Sequence, residues 1–211
     1  MGAATVCWQC GQPVGGLFCE ACTALQVPPA DYYELFGIPP RLALDSADLE
    51  KRFYALSRRL HPDLFTRKPE QERGYSLDAA AVLNDAHRVL RDPVTRAEYV
   101  LRKHGFDIGE QRSKDVPPEL LEEVFELNMA LEELRSGDED ARPQLESARD
   151  KFHVLRDEID DAIEKKFLRY DADGARATLA EIRGLLNRRR YIQNLAREVE
   201  KELTADVHVS D

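Results

Sequence analysis

Past residue 22 this 211-residue chain has no cysteine. It also lacks any apolar run approaching the ~20 residues that a membrane-crossing helix needs, so no membrane span is expected. The start, MGAATVCWQCG, has no charged segment followed by an apolar core and is not Arg-rich. It therefore reads as neither a secretory signal nor a transit peptide. Val6 at the Ser/Thr position argues against myristoylation of the Met-Gly start. Basic charge is short as well. Lys and Arg number 30 against 40 Asp and Glu, a net charge of −10. Nucleic-acid binding would need a concentrated basic patch to overcome that balance, and no nucleic-acid partner is expected. Aromatic residues are only 8%, against 33% charged and 43% hydrophobic, a soluble composition that leans helical.

The cysteines that are present crowd into residues 1–27 as Cys7-x2-Cys10 and Cys19-x2-Cys22. With no export signal they point to a reducing, cytoplasmic setting rather than a disulfide framework. Two such pairs can offer four thiolates in a tetrahedron, which suits one structural Zn²⁺. The short separation predicts two small knuckles facing each other. A segment this size cannot bury a core, so metal would supply most of its folding energy, on the order of 10 kcal/mol. Disulfides, a redox pair or iron in place of zinc are the alternatives.

Val27-Pro28-Pro29 ends that module. A compact unit of four helices is predicted over residues 31–106. Asp31 caps a short helix that Gly37 stops, and Asp45 caps the next. On the latter, Leu49, Phe53, Leu56 and Leu60 share one face. Lys51, Arg52, Arg58 and Arg59 concentrate positive charge on the other side, which suits an acidic protein partner or is an ordinary solvated face. Pro62 pushes His61 out of helical conformation, so His61-Pro62-Asp63 should sit on a polar loop running to about residue 70. A third helix follows, carrying Val82, Leu83, Ala86, Val89 and Leu90, antiparallel to the second. Asp92-Pro93 opens a fourth, with Ala97, Val100 and Leu101 inward, and Gly105 stops it.

Residues 107–117 show no apolar periodicity and read as a linker. Residues 118–206 predict a three-helix bundle, with helices at about 118–135, 142–170 and 172–204. Leu120, Val124, Leu127, Leu131 and Leu134 form the first core stripe. Leu145, Phe152, Leu155, Ile159 and Ile163 form the second, and Leu179, Ile182, Leu186, Ile192, Val199 and Leu203 the third. The first helix has too many apolar residues for one stripe. Leu121, Phe125 and Met129 form another, bordered by Glu122, Glu126 and Glu133. An exposed apolar stripe with an acidic rim is a partner site, unless it packs on the four-helix unit. Tyr191, beside Arg188–Arg190, could extend it. His87, His104, His153 and His208 lack partners at useful spacing and read as ordinary helix or surface residues.

The strings DYYELFGIP, RLHPDLF, LNDAHRVLRDPVTRAEYVLRKHGFD and ELLEEVFELNMALEEL resemble the HscB (Jac-type) J-domain co-chaperones of iron–sulfur cluster assembly. The resemblance covers nearly the whole chain, including a tetracysteine module like that of animal members. It implies an all-α fold: a J domain at 31–106, an antiparallel helical hairpin with short helices, joined to a C-terminal bundle, behind a small tetracysteine zinc knuckle. It implies a monomeric bridging protein rather than an enzyme. His61, Pro62 and Asp63, with Lys51, Arg52, Arg58 and Arg59, would dock on a DnaK/HscA-type ATPase chaperone and accelerate its ATP hydrolysis. Leu121, Phe125, Glu126, Met129, Glu133 and Tyr191 would bind an IscU-type scaffold. Glu122 stands where relatives often have an apolar residue, and Met129 where some have Glu. A general J protein for another client, a redox protein built on the four cysteines and a zinc-dependent nucleic-acid binder are the other readings.

Overall fold

The computed structural model describes residues 5–107 and 120–205. Nearly all of the expected linker, the start of the segment expected to open the bundle, and His208 lie outside the described residues. The chain forms two compact units, Met1–Val100 and Leu101–Asp211.

The first unit opens with β1 (Thr5–Val6) paired antiparallel to β2 (Pro13–Val14), followed by an isolated bridge between Phe18 and Leu25. Four helices follow: α1 (Tyr32–Phe36), α2 (Ser46–Leu60), α3 (Glu70–Arg91) and α4 (Pro93–Lys103). Each expected cap is in place. The Asp31 carboxylate accepts from the N–H groups of Tyr33 and Glu34, Asp45 from Ala47 and Asp48, and Asp92 from Thr95. Gly37 ends α1 at φ +62, a conformation that a side chain disfavours. Helix α2 stops where Pro62 requires it, with His61 extended at ψ 127.

The following stretch is not the open loop that its polarity suggests. Pro62–Phe65 make one 3-10 turn, because Phe65 turns inward and is buried. Helices α2 and α3 run antiparallel, with Ser76 beside Leu60 and His87 stacked on Phe53 at 4.1 Å. The inner seam of α3 is Glu72, Ser76, Ala79, Leu83, Ala86 and Leu90. Val82 and Val89, expected in the core, are half-buried flanks of that seam.

The second unit holds α5 (Leu121–Arg135), a 3-10 turn at Glu139–Ala141, α6 (Arg142–Asp173) and α7 (Arg176–Ala205). Lys151 meets Glu123 across α5 and α6, and Arg189 meets Asp160 across α6 and α7, so both neighbours are antiparallel. Helices α5 and α7 are then parallel, and Arg135 joins them through Glu202 at 2.7 Å. Leu145, Phe152, Leu179, Ile182, Ile192 and Val199 are almost wholly buried. Each such side chain contributes about 1.5–3 kcal/mol by leaving water. Val124 and Leu155 lie at the core's edge, while Ala130 and Phe167 complete it. Among the described residues no helix is long and apolar enough to cross a membrane.

Candidate functional site

The four cysteines come together as the sequence predicts. Their sulfurs all lie within 4.8 Å of one another. Cys7 and Cys22 are 3.6 Å apart, as are Cys10 and Cys19. Four sulfurs each about 2.3 Å from one ion would stand about 3.8 Å apart, so the donor set fits a tetrahedral metal. Two knuckles with the same hydrogen bonds create it. Cys7 N–H donates to Gln12 O and Gly11 N–H to Cys7 O. Twelve residues on, Cys19 N–H donates to Ala24 O and Thr23 N–H to Cys19 O. Gly11 and Thr23 both take positive φ, at 74° and 63°.

Donors also point at sulfur. Gln9 N–H and Gln26 Nε2 lie 3.4 and 3.3 Å from Cys7 Sγ. Burial raises the Cys7 thiol's pKa, but the N–H groups of Cys10 and Gln9 and the Cys22 thiol outweigh it and bring it to about 6. At Cys22 the Ala24 N–H is overcome by desolvation and by the three other thiols, and the group is pushed up to about 12. Thiols this close cannot all ionise unaided. A bound cation would lift that conflict, so the cluster suits a metal ion by its charge as well as by its shape.

The tripeptide is displayed between two anchors. Leu60 before it and Phe65 after it are buried, while the Asp63 side chain is 85% exposed. The Asp63 N–H donates to His61 Nδ1 at 3.3 Å, so the imidazole caps its own turn. Leu64, 60% exposed, stands beside it.

The basic face is less uniform than its sequence. Lys51 and Arg58 are exposed. Arg52 is drawn to Asp48 at 2.7 Å, one turn back. The Arg59 guanidinium lies over the Phe18 ring of the cysteine module, 4.7 Å from its centre. Two of the four cations therefore already have partners within the chain.

In the second unit Leu121, Phe125 and Met129 are 55%, 65% and 49% exposed. Glu126 and Glu133 are exposed around them. Tyr191 on α7 is half-buried, and burial raises its pKa. It lies about three turns back from Glu202, as Phe125 does from Arg135, so on parallel helices the two are level. Three histidines have neighbours that spacing did not suggest: Phe53 for His87, Tyr170 Oη at 3.1 Å for His104, and Glu200 at 3.2 Å for His153.

Glu72 and Ser76 are the residues that sequence reasoning missed. Both are buried on α3. Glu72 accepts from Leu25 N–H, and Ser76 donates to Leu60 O. The signal was the apolar stripe itself. Carried back from Leu83 through Ala79 at helical spacing, it reaches both.

Two family models match this chain. The DnaJ domain family matches residues 31–99, and the HSCB C-terminal oligomerisation domain matches residues 116–200. The human iron-sulfur cluster co-chaperone protein HscB is 31% identical over 188 residues, 86% of this chain and 78% of that protein. The co-chaperone protein HscB homolog of Vibrio vulnificus is 42% identical over 108 residues, 51% of this chain and 63% of the relative. The crystal structure of human HscB superposes with a TM-score of 0.72 at 27% identity, over 95% of this chain and all of that one. For the HscB of Vibrio cholerae the TM-score is 0.58 at 28% identity, over 81% and 96%. With a DnaJ domain and an HSCB C-terminal domain both matched, and the human relative 31% identical over most of its length, the chain belongs to the HscB family of co-chaperones.

Proposed function

We propose that this protein works in iron–sulfur cluster assembly by delivering an IscU-type scaffold to a DnaK/HscA-type ATPase chaperone and stimulating that chaperone's ATP hydrolysis. The observation that carries the reading is the His61-Pro62-Asp63 turn. Its flanks are buried, its own hydrogen bond stiffens it, and its carboxylate is offered to solvent. A rigid anion on a helical hairpin can engage a cation of the chaperone without first being ordered. Lys51 and Arg58 supply the long-range attraction to an acidic surface. Leu121, Phe125 and Met129, with Glu126, Glu133 and Tyr191, hold the scaffold. The protein performs no chemistry of its own.

The metal is one Zn²⁺ held by Cys7, Cys10, Cys19 and Cys22. Four thiolates fill a tetrahedral ion's coordination, so its contribution is structural.

An ATPase assay with purified chaperone and scaffold tests the reading. Asp63→Ala should abolish stimulation and leave scaffold binding and the urea midpoint unchanged, because the side chain is almost fully exposed. Undiminished stimulation by that variant would remove the loop from the mechanism. Scaffold that never binds the intact protein, beside other clients that do, would favour a general J protein.

A further inference from the structure

The cysteine module is fastened to the hairpin at one buried point. Leu25 N–H, three residues past Cys22, donates to Glu72 Oε1 at 3.2 Å. Leu25 is 0% and Glu72 2% exposed. Around this bond Trp8 donates its indole N–H to Leu25 O at 2.8 Å and meets Tyr75 edge-on. Phe18, the bridge partner of Leu25, lies beneath Arg59. The other partner of Glu72 is Lys68 at 3.6 Å, a half-exposed side chain.

Glu72 is the third residue of α3, whose N-cap Pro69 provides no side-chain hydrogen bond. One turn later, on the same face, Ser76 holds the last carbonyl of α2. The start of α3 is thus fixed from outside, and the tripeptide lies in the connection between these two fastenings. Among the described residues the module's own core is Cys7, Cys19 and Ala24, with Trp8, Val14 and Cys22 against them. Such a core does not fold without its metal. Without it, Leu25 N–H loses its fixed position. Glu72 becomes a buried carboxyl short of a donor, and fraying of the first turn of α3 brings it to water at least cost.

We propose that metal occupancy at Cys7, Cys10, Cys19 and Cys22 controls the order of the His61-Pro62-Asp63 loop, with Glu72 as the positioning residue that couples them. The bistable element is the first turn of α3, packed when metal is bound and frayed when it is not. The consequence for chaperone stimulation rests on the function proposed above; the coupling itself does not.

The experiment uses the full, reduced chain with zinc bound and after its removal by a chelator. Hydrogen exchange should run about tenfold faster over residues 61–73 in the stripped protein, the loss expected for one hydrogen bond to a charged group, with α5–α7 unchanged. Glu72→Ala with zinc bound should show the same acceleration, and stripping it should add nothing there. Glu72→Gln keeps an accepting oxygen but not the charge and should accelerate exchange there less than Glu72→Ala does. The concentration giving half-maximal ATPase stimulation should rise several-fold in the stripped and Glu72→Ala proteins, with the maximum unchanged. Unaltered exchange over residues 61–73 on stripping the native chain overturns the proposal, whether or not any variant folds. A Glu72→Ala chain that still responds fully to stripping removes Glu72 as the coupler. Exchange that responds as expected, in a protein that stimulates no chaperone in any form, upholds the coupling and rejects the functional reading.

Discussion

Ser76 sets its hydroxyl 2.7 Å from the carbonyl oxygen of Leu60, so an interior serine of one helix satisfies the open end of its neighbour. The carbonyl belongs to the residue immediately before His61. Helix ends leave such carbonyls without intrahelical partners. Ser76→Ala should therefore lower stability by about 1–2 kcal/mol, because both the acceptor and its surroundings are buried. Urea unfolding followed by the fluorescence of Trp8, the chain's one tryptophan, reads this directly. An unchanged midpoint would show that water replaces the hydroxyl.

The exposed stripe of α5 should matter for binding and not for folding. Leu121→Ala with Phe125→Ala is expected to weaken scaffold affinity about 100-fold or more if these are anchor residues. The urea midpoint should stay within about 0.5 kcal/mol, as expected of surface positions. Calorimetry against purified scaffold measures the first. Light scattering should find a monomer, and a stable dimer that the double variant dissolves would show the stripe covered by a second copy.

Acid should loosen the two units in turn. Burial lowers the His87 pKa, and Arg91 adds to the effect against Glu50. A depressed histidine contributes stability that is complete above its unfolded pKa, about 6.5, and is lost as pH falls toward the folded value. In the second unit Lys151 lowers Glu123, Lys166 lowers Glu181, Arg135 lowers Glu202, and the Ala175 N–H lowers Asp173. Their contributions are complete above about pH 4.5 and fade below it. The midpoint seen by Trp8 should start to fall as pH drops below about 6.5, with the helical signal of α5–α7 persisting to lower pH. His87→Phe, which keeps a ring on Phe53, should flatten the first step. A first step that persists in this variant would assign it elsewhere.

Much of this architecture is legible from local rules. Asp31, Asp45, Asp92, Gly37 and Gly105 mark helix ends through short-range hydrogen bonds and backbone sterics, and each does so in the fold. The cysteine spacing encodes its tetrahedron for the same reason. Contacts distant in sequence were not legible. Nothing near Arg59 announces that Phe18 will lie under it, and a polar letter at Glu72 or Ser76 reads as surface until the seam is traced across it. The 3-10 turn at Pro62–Phe65 was hidden likewise, since Phe65 is one apolar residue in a polar run. Periodicity sets Lys51 and Arg58 opposite the apolar stripe of α2 with Arg52 and Arg59 as flanks, but it does not tell that the fold commits both flanks to other partners.

The two knuckles share one hydrogen-bond pattern but not one residue at its tightest point. Gly11 adopts its positive φ freely, whereas Thr23, branched at Cβ, holds the same conformation at a cost of about 1 kcal/mol or more. Thr23→Gly should relieve that cost and slow metal release to a chelator; an unchanged release rate would show the strain to be absorbed locally. The twofold look of the site thus conceals a weak side. An ion leaving it should part first from Cys19 and Cys22, whereas a thiol reagent arriving from solvent should meet Cys10 first, the exposed thiol of the four.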